Sequence, residues 1–474
     1  MVSTTMHFMP GCEILQSFDL VHWEHATYVY ETLDHTDAQQ LKSGQNIYGQ
    51  GMWAASLRYH EGRFYICFVA NDTRKTYLYT SEKIDGPWKK QLIEGFYHDG
   101  SLLFDEDGRN YIVYGNDEIW ITELNEDLTA PKKDGLHRLL VSDHKNPKLG
   151  YEGSHIQKIN GYYYIFLIHS LRDRWMRTEA CFYSDSLEGE FTGGDVLCDD
   201  RGYCGQGVAQ GGIVDTPDGK WYAMLFQDSG AVGRIPILLP VTWKDHFPVF
   251  GQNGHVPEEI EVHSTRPGYI YQPLVGSDDF CNGLLPRWQF NHDPDPRYYH
   301  LDALQGTYTI TTREVCTELT QAVNTLTQRM SYPSCAAEVT VDASALKEGD
   351  VAGLCALQGC YAAVGITKHH GKYEVLMLDK KEDGILDMTE GTVVESHQMD
   401  FRLEADFCNM KDEARCYYRV NKGDWLPIGT VHKLYFKLDH FTGCRFGLFC
   451  YAAEETGGSA CFRDFKYYDV DEIS

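Results

Sequence analysis

Four side chains with complementary chemistry occupy equivalent positions of a sequence repeat. Trp53, Asp99, Glu152 and Gln210 each precede by nine residues a glycine that opens an aromatic strand. We call these four the axial residues. An indole, two carboxylates and an amide can supply a stacking platform, a general acid, a charge that orients the acid, and a hydrogen-bond partner. Each has an ordinary explanation as a turn, core or surface residue. Their shared register predicts one joint site, suited to acid-catalysed cleavage of a sugar.

The repeat itself predicts the elements that position these residues. Each copy has a strand, a turn and an aromatic strand, and its turn contains EG, DG or NG, which favour hairpins. The copies are WAASLRYHEGRFYICF, DGSLLFDEDGRNYIVY, EGSHIQKINGYYYIFL and QGGIVDTPDGKWYAML, with turn glycines Gly62, Gly108, Gly161 and Gly219. A second signature follows in SEKIDGPW and SDSLEGEF. Repeats of roughly 45–60 residues with about four strands are typical of β-propeller blades. The alternative is a β-sandwich with accidental hairpin similarity.

Propeller geometry explains why the axial residues should meet. The innermost strand of every blade follows the central axis, so its first residues line one mouth of the funnel. SFDLVHWE, residues 17–24, matches the second signature and therefore belongs to a further blade. If Met1 to Ser3 end the second strand of that blade, its axial residue falls before Met1. We therefore expect the first hairpin of blade one to be missing from this chain.

The second half of the chain predicts a separate β domain. The repeat stops at Gly251, and residues 252–276 have the composition of a linker. From Ser277 alternating strands return in GTYTITT, CAAEVTVDA, YAAVGITK, YEVLMLD and RFGLFCY, which favours a concanavalin-like β-sandwich over 277–474. Trp288 and Phe290 could stack on a glycan, but we expect them to pack in the sandwich or against the propeller. The whole chain is therefore predicted to be all-β, with a five-bladed propeller over 1–251.

Composition narrows the class of partner and the compartment. The formal net charge of −27 disfavours nucleic acid and anionic membrane surfaces. No apolar run approaches the roughly 20 residues of a membrane span, and no secretory signal is visible. The 15 cysteines form no C-x-x-C pair, which argues against a zinc knuckle and favours a reduced, cytoplasmic chain over a disulfide-bonded secreted one.

Several longer stretches resemble glycoside hydrolase family 43, the five-bladed propeller β-xylosidases and α-L-arabinofuranosidases. In the first half they are VSTTMHFMPG with SFDLVHWE, WAASLRYHEGRFY, HDGSLLFDEDGRNY, YEGSHIQKINGYYY, AQGGIVDTPDGKWY and GAVGRIPILLPVTWKDHFPVFG. In the second half, SDDFCNGLLPRWQFNHDPDP and VNTLTQRM resemble the C-terminal sandwich of many family 43 xylosidases, a loop of which closes one side of the pocket. SFDLVHWE lacks the glycine of the sialidase box, which makes a sialidase the weaker candidate.

The resemblance implies roles for three acidic residues. By position Glu152 is the general acid and Asp99 the residue that orients it and modulates its pKa. The family's general base is an Asp in an Asp-Pro-Asp or similar motif upstream of a Gly-Asp-x-Tyr-Tyr strand, and neither element precedes Met1. We therefore expect the base to be absent from this chain and hydrolysis to be impaired.

The resemblance also implies substrate contacts. Arg234 corresponds to the arginine beside the two carboxylates, although a structural ion pair is the alternative. Trp53 and Ala54 match a pocket-wall pair, and Met6 and Phe8 match apolar residues of the pocket floor.

No metal or other cofactor is assigned from the sequence. Some family members place a histidine near the axis as a calcium ligand, whereas the corresponding positions here carry Gln210 and Ser229. We expect no required cofactor and leave structural calcium open. His155 is expected to be an ordinary strand residue.

The predicted function is exo-acting, inverting release of xylose or arabinofuranose from xylo-oligosaccharides or arabinoxylan fragments. The alternative is a non-catalytic glycan-binding propeller that retains the pocket without the base. The sequence leaves the choice of pentose open, and it leaves homo-oligomer formation open as well.

Overall fold

The computed structural model describes residues 1–389 and 391–469. Within these ranges the chain forms 35 strands and five short 3₁₀ turns, arranged as a five-bladed β-propeller followed by a β-sandwich. The predicted all-β fold is therefore confirmed. No helix among the described residues is long and apolar enough to cross a membrane. All 15 cysteines lie in the described ranges and none forms a disulfide.

Blades two to five are four-stranded antiparallel sheets whose strands pair in chain order. Blade two contains β5 (Ser56–His60), β6 (Arg63–Ala70), β7 (Lys75–Ser81) and β8 (Lys89–Ile93). Blade three contains β9 (Ser101–Phe104), β10 (Asn110–Asn116), β11 (Glu118–Leu124) and β12 (His137–Ser142). Blade four contains β13 (Glu152–Ile159), β14 (Tyr162–Ser170), β15 (Arg177–Ser184) and β16 (Thr192–Leu197). Blade five contains β17 (Ala209–Asp215), β18 (Trp221–Asp228), β19 (Arg234–Lys244) and β20 (Phe247–Phe250).

Blade one has three strands among the described residues, β1 (Val2–Ser3), β3 (Gly11–Gln16) and β4 (Glu24–Tyr30). β1 pairs with β3, which pairs with β4. β1 thus holds the place that β6, β10, β14 and β18 hold in the other blades. No described residue of blade one occupies the innermost strand position.

The repeat glycines make the tight turns that the sequence predicts. In the β13–β14 hairpin both turn residues, Asn160 and Gly161, have left-handed backbones with φ of 50° and 84°. This conformation matches the twist of the flanking strands and favours an Asn-Gly pair. The aromatic strands that follow are buried between blades: Ile66, Ile112 and Ile165, one from each of three blades, have no exposed surface. Each such side chain contributes about 1.5–3 kcal/mol of burial energy and fixes the inner strand beside it.

The sandwich consists of two antiparallel sheets. The smaller has the strand order β22 (Tyr299–Asp302), β23 (Thr307–Thr311), β35 (Ser459–Asp469), β25 (Ser334–Asp342), β31 (Gln398–Asp406), β32 (Glu413–Val420) and β33 (Leu426–Lys433). The larger has the order β2 (Phe8–Met9), β21 (Gln289–Asn291), β24 (Leu326–Arg329), β34 (Arg445–Ala452), β26 (Asp350–Leu357), β27 (Ala362–His369), β28 (Lys372–Lys380) and β29 (Leu386–Met388), with β30 (Thr392–Val394) also on β28. Trp288 and Phe290 are buried in this core, as predicted.

The propeller and the sandwich are joined by more than the linker. β2, from the propeller half of the sequence, pairs with β21 through Phe8–Asn291 and Met9–Phe290 and so forms the edge of the larger sandwich sheet. In the opposite direction, the loop before β19 is fixed to the sandwich: the Cys444 N–H donates to the Ala231 carbonyl at 2.8 Å. The linker returns to blade one, where the Thr265 N–H donates to the Phe18 carbonyl at 2.7 Å.

Candidate active site

The propeller brings Asp99 and Glu152 together at one mouth of the axis. Glu152 is the first residue of β13, and Asp99 lies just before β9. One oxygen from each carboxylate and one ring nitrogen of His98 all lie within 4.8 Å of one another. Two carboxylates this close repel each other when both are ionised, so neighbouring cationic groups or a bound proton must offset the repulsion.

Irregular backbone geometry determines the orientation of the Asp99, Glu152 and Gln210 side chains. The β13–β14 pairing has a bulge between Glu152 and His155, and the β17–β18 pairing has one between Ala209 and Gly212. Bulges redirect side chains, and here they fall at two axial positions. Asp99 and Gln210 both have left-handed backbones, with φ of 48° and 62°.

Gly153, directly after Glu152, is required by this arrangement. Its φ is 66°, and a Cβ added to it would lie 2.7 Å from Cγ of Gln210. Its N–H donates to Oδ2 of Asp99 at 2.9 Å. Gly153 therefore lets the Gln210 side chain approach while its amide anchors Asp99.

Neighbouring polar groups complete the acidic cluster. Asn116, at the end of β10, donates from Nδ2 to Oε2 of Glu152 at 2.8 Å. His98 Nε2 lies 3.6 Å from Oδ2 of Asp99 and 3.8 Å from Oε2 of Glu152. These separations are too long for hydrogen bonds but short enough for strong electrostatic coupling.

Burial and the neighbouring charges together shift the pKa values of Asp99 and His98 in this cluster. It raises the pKa of Asp99 to about 6; the charge of His98 opposes the rise and that of Glu152 reinforces it. Burial by itself would lower the pKa of His98, but the adjacent Glu152 and Asp99 carboxylates raise it overall. Asp99 therefore exchanges its proton near neutral pH, which suits a group that modulates a neighbouring acid.

The raised pKa of Asp99 predicts a pH-dependent stability change. A group whose pKa rises on folding adds stability below its unfolded pKa and loses it as pH rises through the folded pKa. At pH 8 the buried Asp99 carboxylate is thus unfavourable, and we expect Asp99→Asn to raise the free energy of unfolding by up to about 3 kcal/mol. The gain should shrink as pH falls through 6 and vanish near pH 4. Urea unfolding at pH 4, 6 and 8 measures it.

The control for that prediction is Asp107→Asn, at the exposed β9–β10 turn. It should change stability little and equally at all three pH values. An Asp99→Asn effect that does not vary with pH would contradict a net cost of the buried charge.

Two arginines face the acidic cluster, Arg177 buried and Arg234 half-buried. Asp228 pairs with both guanidinium groups: one oxygen contacts Arg177 as an ion pair, and Oδ1 lies 3.3 Å from Nε of Arg234. Burial lowers the pKa of Arg177 to about 9 and that of Arg234 to about 10, and the charge of Glu152 counteracts both shifts. The carboxylate of Asp228 thus holds two guanidinium groups beside Glu152. Arg234 therefore forms the ion pair that was the alternative interpretation, and it also lies beside Asp99 and Glu152.

The sandwich contributes one wall of this site. Phe441 follows the 3₁₀ turn Leu438–His440, and its ring lies 4.3 Å from the guanidinium carbon of Arg234. The same ring meets Trp53 edge-on at a centroid distance of 5.5 Å. Trp53 and Ala54 are half-buried at the start of blade two. Trp53, one of the two predicted wall residues, therefore contacts an aromatic side chain from the other domain.

The predicted pocket floor needs correction. Met6 and Phe8 have no exposed surface, so neither can contact a ligand. The Met6 backbone forms an isolated antiparallel β-bridge with Met52, the residue before Trp53. Phe8 packs among sandwich residues, with the guanidinium carbon of Arg445 3.7 Å from its ring centroid. The reason is β2, which leaves the propeller to join the sandwich sheet.

The structure also shows where the remaining residues considered from the sequence lie, namely Gln210, His155 and Ser229. The Gln210 N–H donates to Oε2 of the buried Glu179 at 2.7 Å, which fixes the β17 bulge, while its half-buried side chain lies against Gly153. His155 is half-buried in β13, and desolvation lowers its pKa to about 3. Ser229 is buried before the β19 loop.

Sequence reasoning missed several residues that complete the site. His98 adjoins Asp99 in HDG, and that adjacency was an available signal. Asn116, Arg177 and Asp228 lie at strand ends that the repeat alignment does not compare. Phe441 comes from the sandwich, and only the resemblance to relatives indicated that a loop of that domain approaches the pocket.

One group among the described residues has metal-ligand geometry, and it is His98, Asp99 and Glu152. Its oxygens already accept hydrogen bonds from Asn116 and Gly153. A cation held there would compete with the proton that a general acid must deliver.

Comparison with characterised proteins places this geometry in a family. Residues 1–248 match the family model of glycosyl hydrolases family 43, and residues 277–468 match the β-xylosidase C-terminal concanavalin A-like domain. A β-xylosidase of Formosa agariphila is 25% identical over 99% of this chain and 85% of its own.

Two solved structures are also similar. A bifunctional GH43-CE protein of Bacteroides eggerthii is 41% identical with a TM-score of 0.91; it covers all of this chain, which spans 61% of that protein. A GH43 glycoside hydrolase, engineered to display both endo-xylanase and exo-arabinofuranosidase activity, is 26% identical with a TM-score of 0.85, over 99% of this chain and 95% of its own. The resemblance inferred from the repeat is thereby confirmed. Because the family model spans more than half of the chain and a second model accounts for the sandwich, the chain belongs to glycosyl hydrolase family 43.

Proposed function

We propose that this chain acts on pentose units at the non-reducing ends of xylo-oligosaccharides or arabinoxylan fragments. The observation that carries the proposal is the Asp99–Glu152 pair at the axial mouth, with carboxylate oxygens within 4.8 Å. Relatives named as β-xylosidase and exo-arabinofuranosidase support the choice of substrate class. The wall formed by Trp53 and Phe441 favours a short chain end over an internal segment, and hence exo action.

Glu152 has the position of the general acid. Asn116 donates to its Oε2 and so fixes the carboxyl group. The other oxygen, Oε1, is then the one that can carry the proton to the departing glycosidic oxygen. Arg234 presents a planar set of donors beside it, suited to two sugar hydroxyls.

Asp99 is a positioning residue in this proposal and not the base. An inverting enzyme needs roughly 6.5–9.5 Å between acid and base carboxyl groups to admit the attacking water. Asp99 lies closer than that to Glu152. A nucleophilic role in a retaining mechanism is also disfavoured, since Oδ2 accepts from Gly153 and its pKa is raised by burial. The water must therefore be activated by a third group.

Blade one is where the resemblance puts that third group. Among the described residues this blade offers β1, β3 and β4 and no axial carboxylate. A polypeptide made of these 474 residues alone is therefore expected to hydrolyse its substrate slowly. The same observation favours a second candidate function, a glycan-binding propeller that retains the pocket.

A small carboxylate added to the solution separates the two candidates. If only the base is lacking, formate should enter the site and raise turnover of nitrophenyl xyloside or arabinofuranoside by about 10-fold or more. The sugar released should have the inverted anomeric configuration, which proton NMR of the early product measures. Chloride at equal ionic strength is the control. Saturable binding of xylo-oligosaccharide without turnover in any buffer would favour the binding protein, and absence of both binding and turnover would refute both candidates.

A further inference from the structure

Trp175 differs from every other tryptophan of the chain. All nine tryptophans lie in the described ranges, and Trp175 alone is exposed, with 45% of its surface accessible. Tryptophan is highly buried on average, and the other eight are at least partly buried here. The exposure of Trp175 becomes informative through its position.

Trp175 lies on the rim of the axial mouth. It belongs to the loop between β14 and β15, closed by the Leu171 N–H donating to the Met176 carbonyl at 3.0 Å. β14 pairs Ile168 with Glu152 and Ser170 with Arg177, so this loop is at the same end of blade four as Glu152. Buried Met176 and Arg177 hold its base.

Trp175 also ends a continuous row of alternating aromatic and arginine side chains. The guanidinium carbon of Arg177 lies 5.4 Å from the Trp175 ring and 5.8 Å from the Phe226 ring. Arg234 lies 4.4 Å from Phe226 and 4.3 Å from Phe441. From Phe441 through Arg234 and Arg177, the row thus runs past the acidic cluster and outward to Trp175.

We propose that Trp175 is a stacking platform for the leaving-group side of an oligosaccharide held in the site. This inference rests on the proposed function. In a pocket that accepts a chain end, only the leaving-group sugars extend towards solvent, and Trp175 is the exposed aromatic in the row that leads outward. Sugar rings present flat apolar C–H faces that pack on indoles. Because Arg177 and Phe226 lie between Trp175 and Arg234 in this row, the proposed occupant is a linear β-linked xylo-oligosaccharide longer than the disaccharide, whose outer sugars extend past Arg177.

The test compares ligand lengths by titration calorimetry in a Glu152→Gln background, which prevents cleavage. The probes are xylobiose and xylotetraose. We expect xylotetraose to bind more tightly than xylobiose, and Trp175→Ala to weaken xylotetraose by about 3- to 10-fold while leaving xylobiose nearly unchanged. Trp175→Phe should retain most of the advantage. Tyr59→Ala is the matched control, since Tyr59 is 63% exposed beside the β5–β6 turn at the opposite end of its blade.

The possible results separate a failure of the Trp175 platform from a failure of the proposed function. An unchanged ratio of xylotetraose to xylobiose affinity in Trp175→Ala would overturn the platform and leave the proposed function intact. Equal weakening of both ligands would also overturn it, because it would place Trp175 in the pocket or in the fold. Binding of neither ligand by the parent would overturn the proposed function, and the platform with it.

Discussion

Glu152→Gln is expected to lower kcat for xylobiose by about 10²- to 10⁴-fold, the usual contribution of a general acid. Gln keeps the shape and the hydrogen bond with Asn116 but has no proton to give to the departing oxygen. A dinitrophenyl xyloside should lose far less, because its leaving group departs without protonation. Both substrates are assayed with formate present, so that attack by water does not mask the change.

The matched control for Glu152 is Glu118→Gln. Glu118 begins β11, two residues after Asn116, at the same end of blade three. It should leave both rates within about two-fold of the parent, because its half-buried side chain is not the group that donates to Glu152. If Glu152→Gln slowed both substrates equally, Glu152 would have to be assigned to binding and not to proton transfer.

Asp228→Asn is expected to lower the free energy of unfolding by about 3–5 kcal/mol, since it leaves the buried Arg177 and the half-buried Arg234 without their carboxylate. Asp228 is 3% exposed and lies between Arg177 and Arg234. Urea unfolding at pH 7 measures the loss. Arg234 should also leave its position beside Glu152, so that affinity for xylobiose falls in the same variant.

A second substitution tests whether the paired charges are the cause. Arg177→Met removes one of the two repelling cations and should recover part of the stability lost in Asp228→Asn. Asp218→Asn is the control on the same blade: its side chain is 56% exposed in the β17–β18 turn, where an ion pair is worth little. A double variant no more stable than Asp228→Asn alone would refute the charge explanation.

The fold was predictable because its signals are local. Each blade repeats a turn glycine and an aromatic strand, and the sandwich strands alternate plainly. The same register located Asp99 and Glu152, because residues at equivalent places in equivalent blades must converge on one axis.

The remaining parts of the site depend on contacts between distant segments, which leave no local pattern. Asp228 closes its strand as an unremarkable acidic residue, and only the approach of Arg177 from the neighbouring blade gives it a role. Phe8 was expected in the pocket because it matches an apolar residue of the pocket floor in the resembled family. No periodicity could indicate that two residues would cross to the sandwich and form its edge strand.

Because of this crossing, the propeller and the sandwich are not independently exchangeable domains. The propeller supplies the edge of a sandwich sheet through Phe8 and Met9, and the sandwich supplies a wall of the pocket through Phe441. A sandwich exchanged with that of a relative would have to accept a foreign edge strand and at the same time present a fitting aromatic ring to Trp53. Substrate range and domain packing therefore depend on the same contacts. A substitution in the sandwich, which contributes no candidate catalytic carboxylate, can change which substrate the propeller pocket accepts.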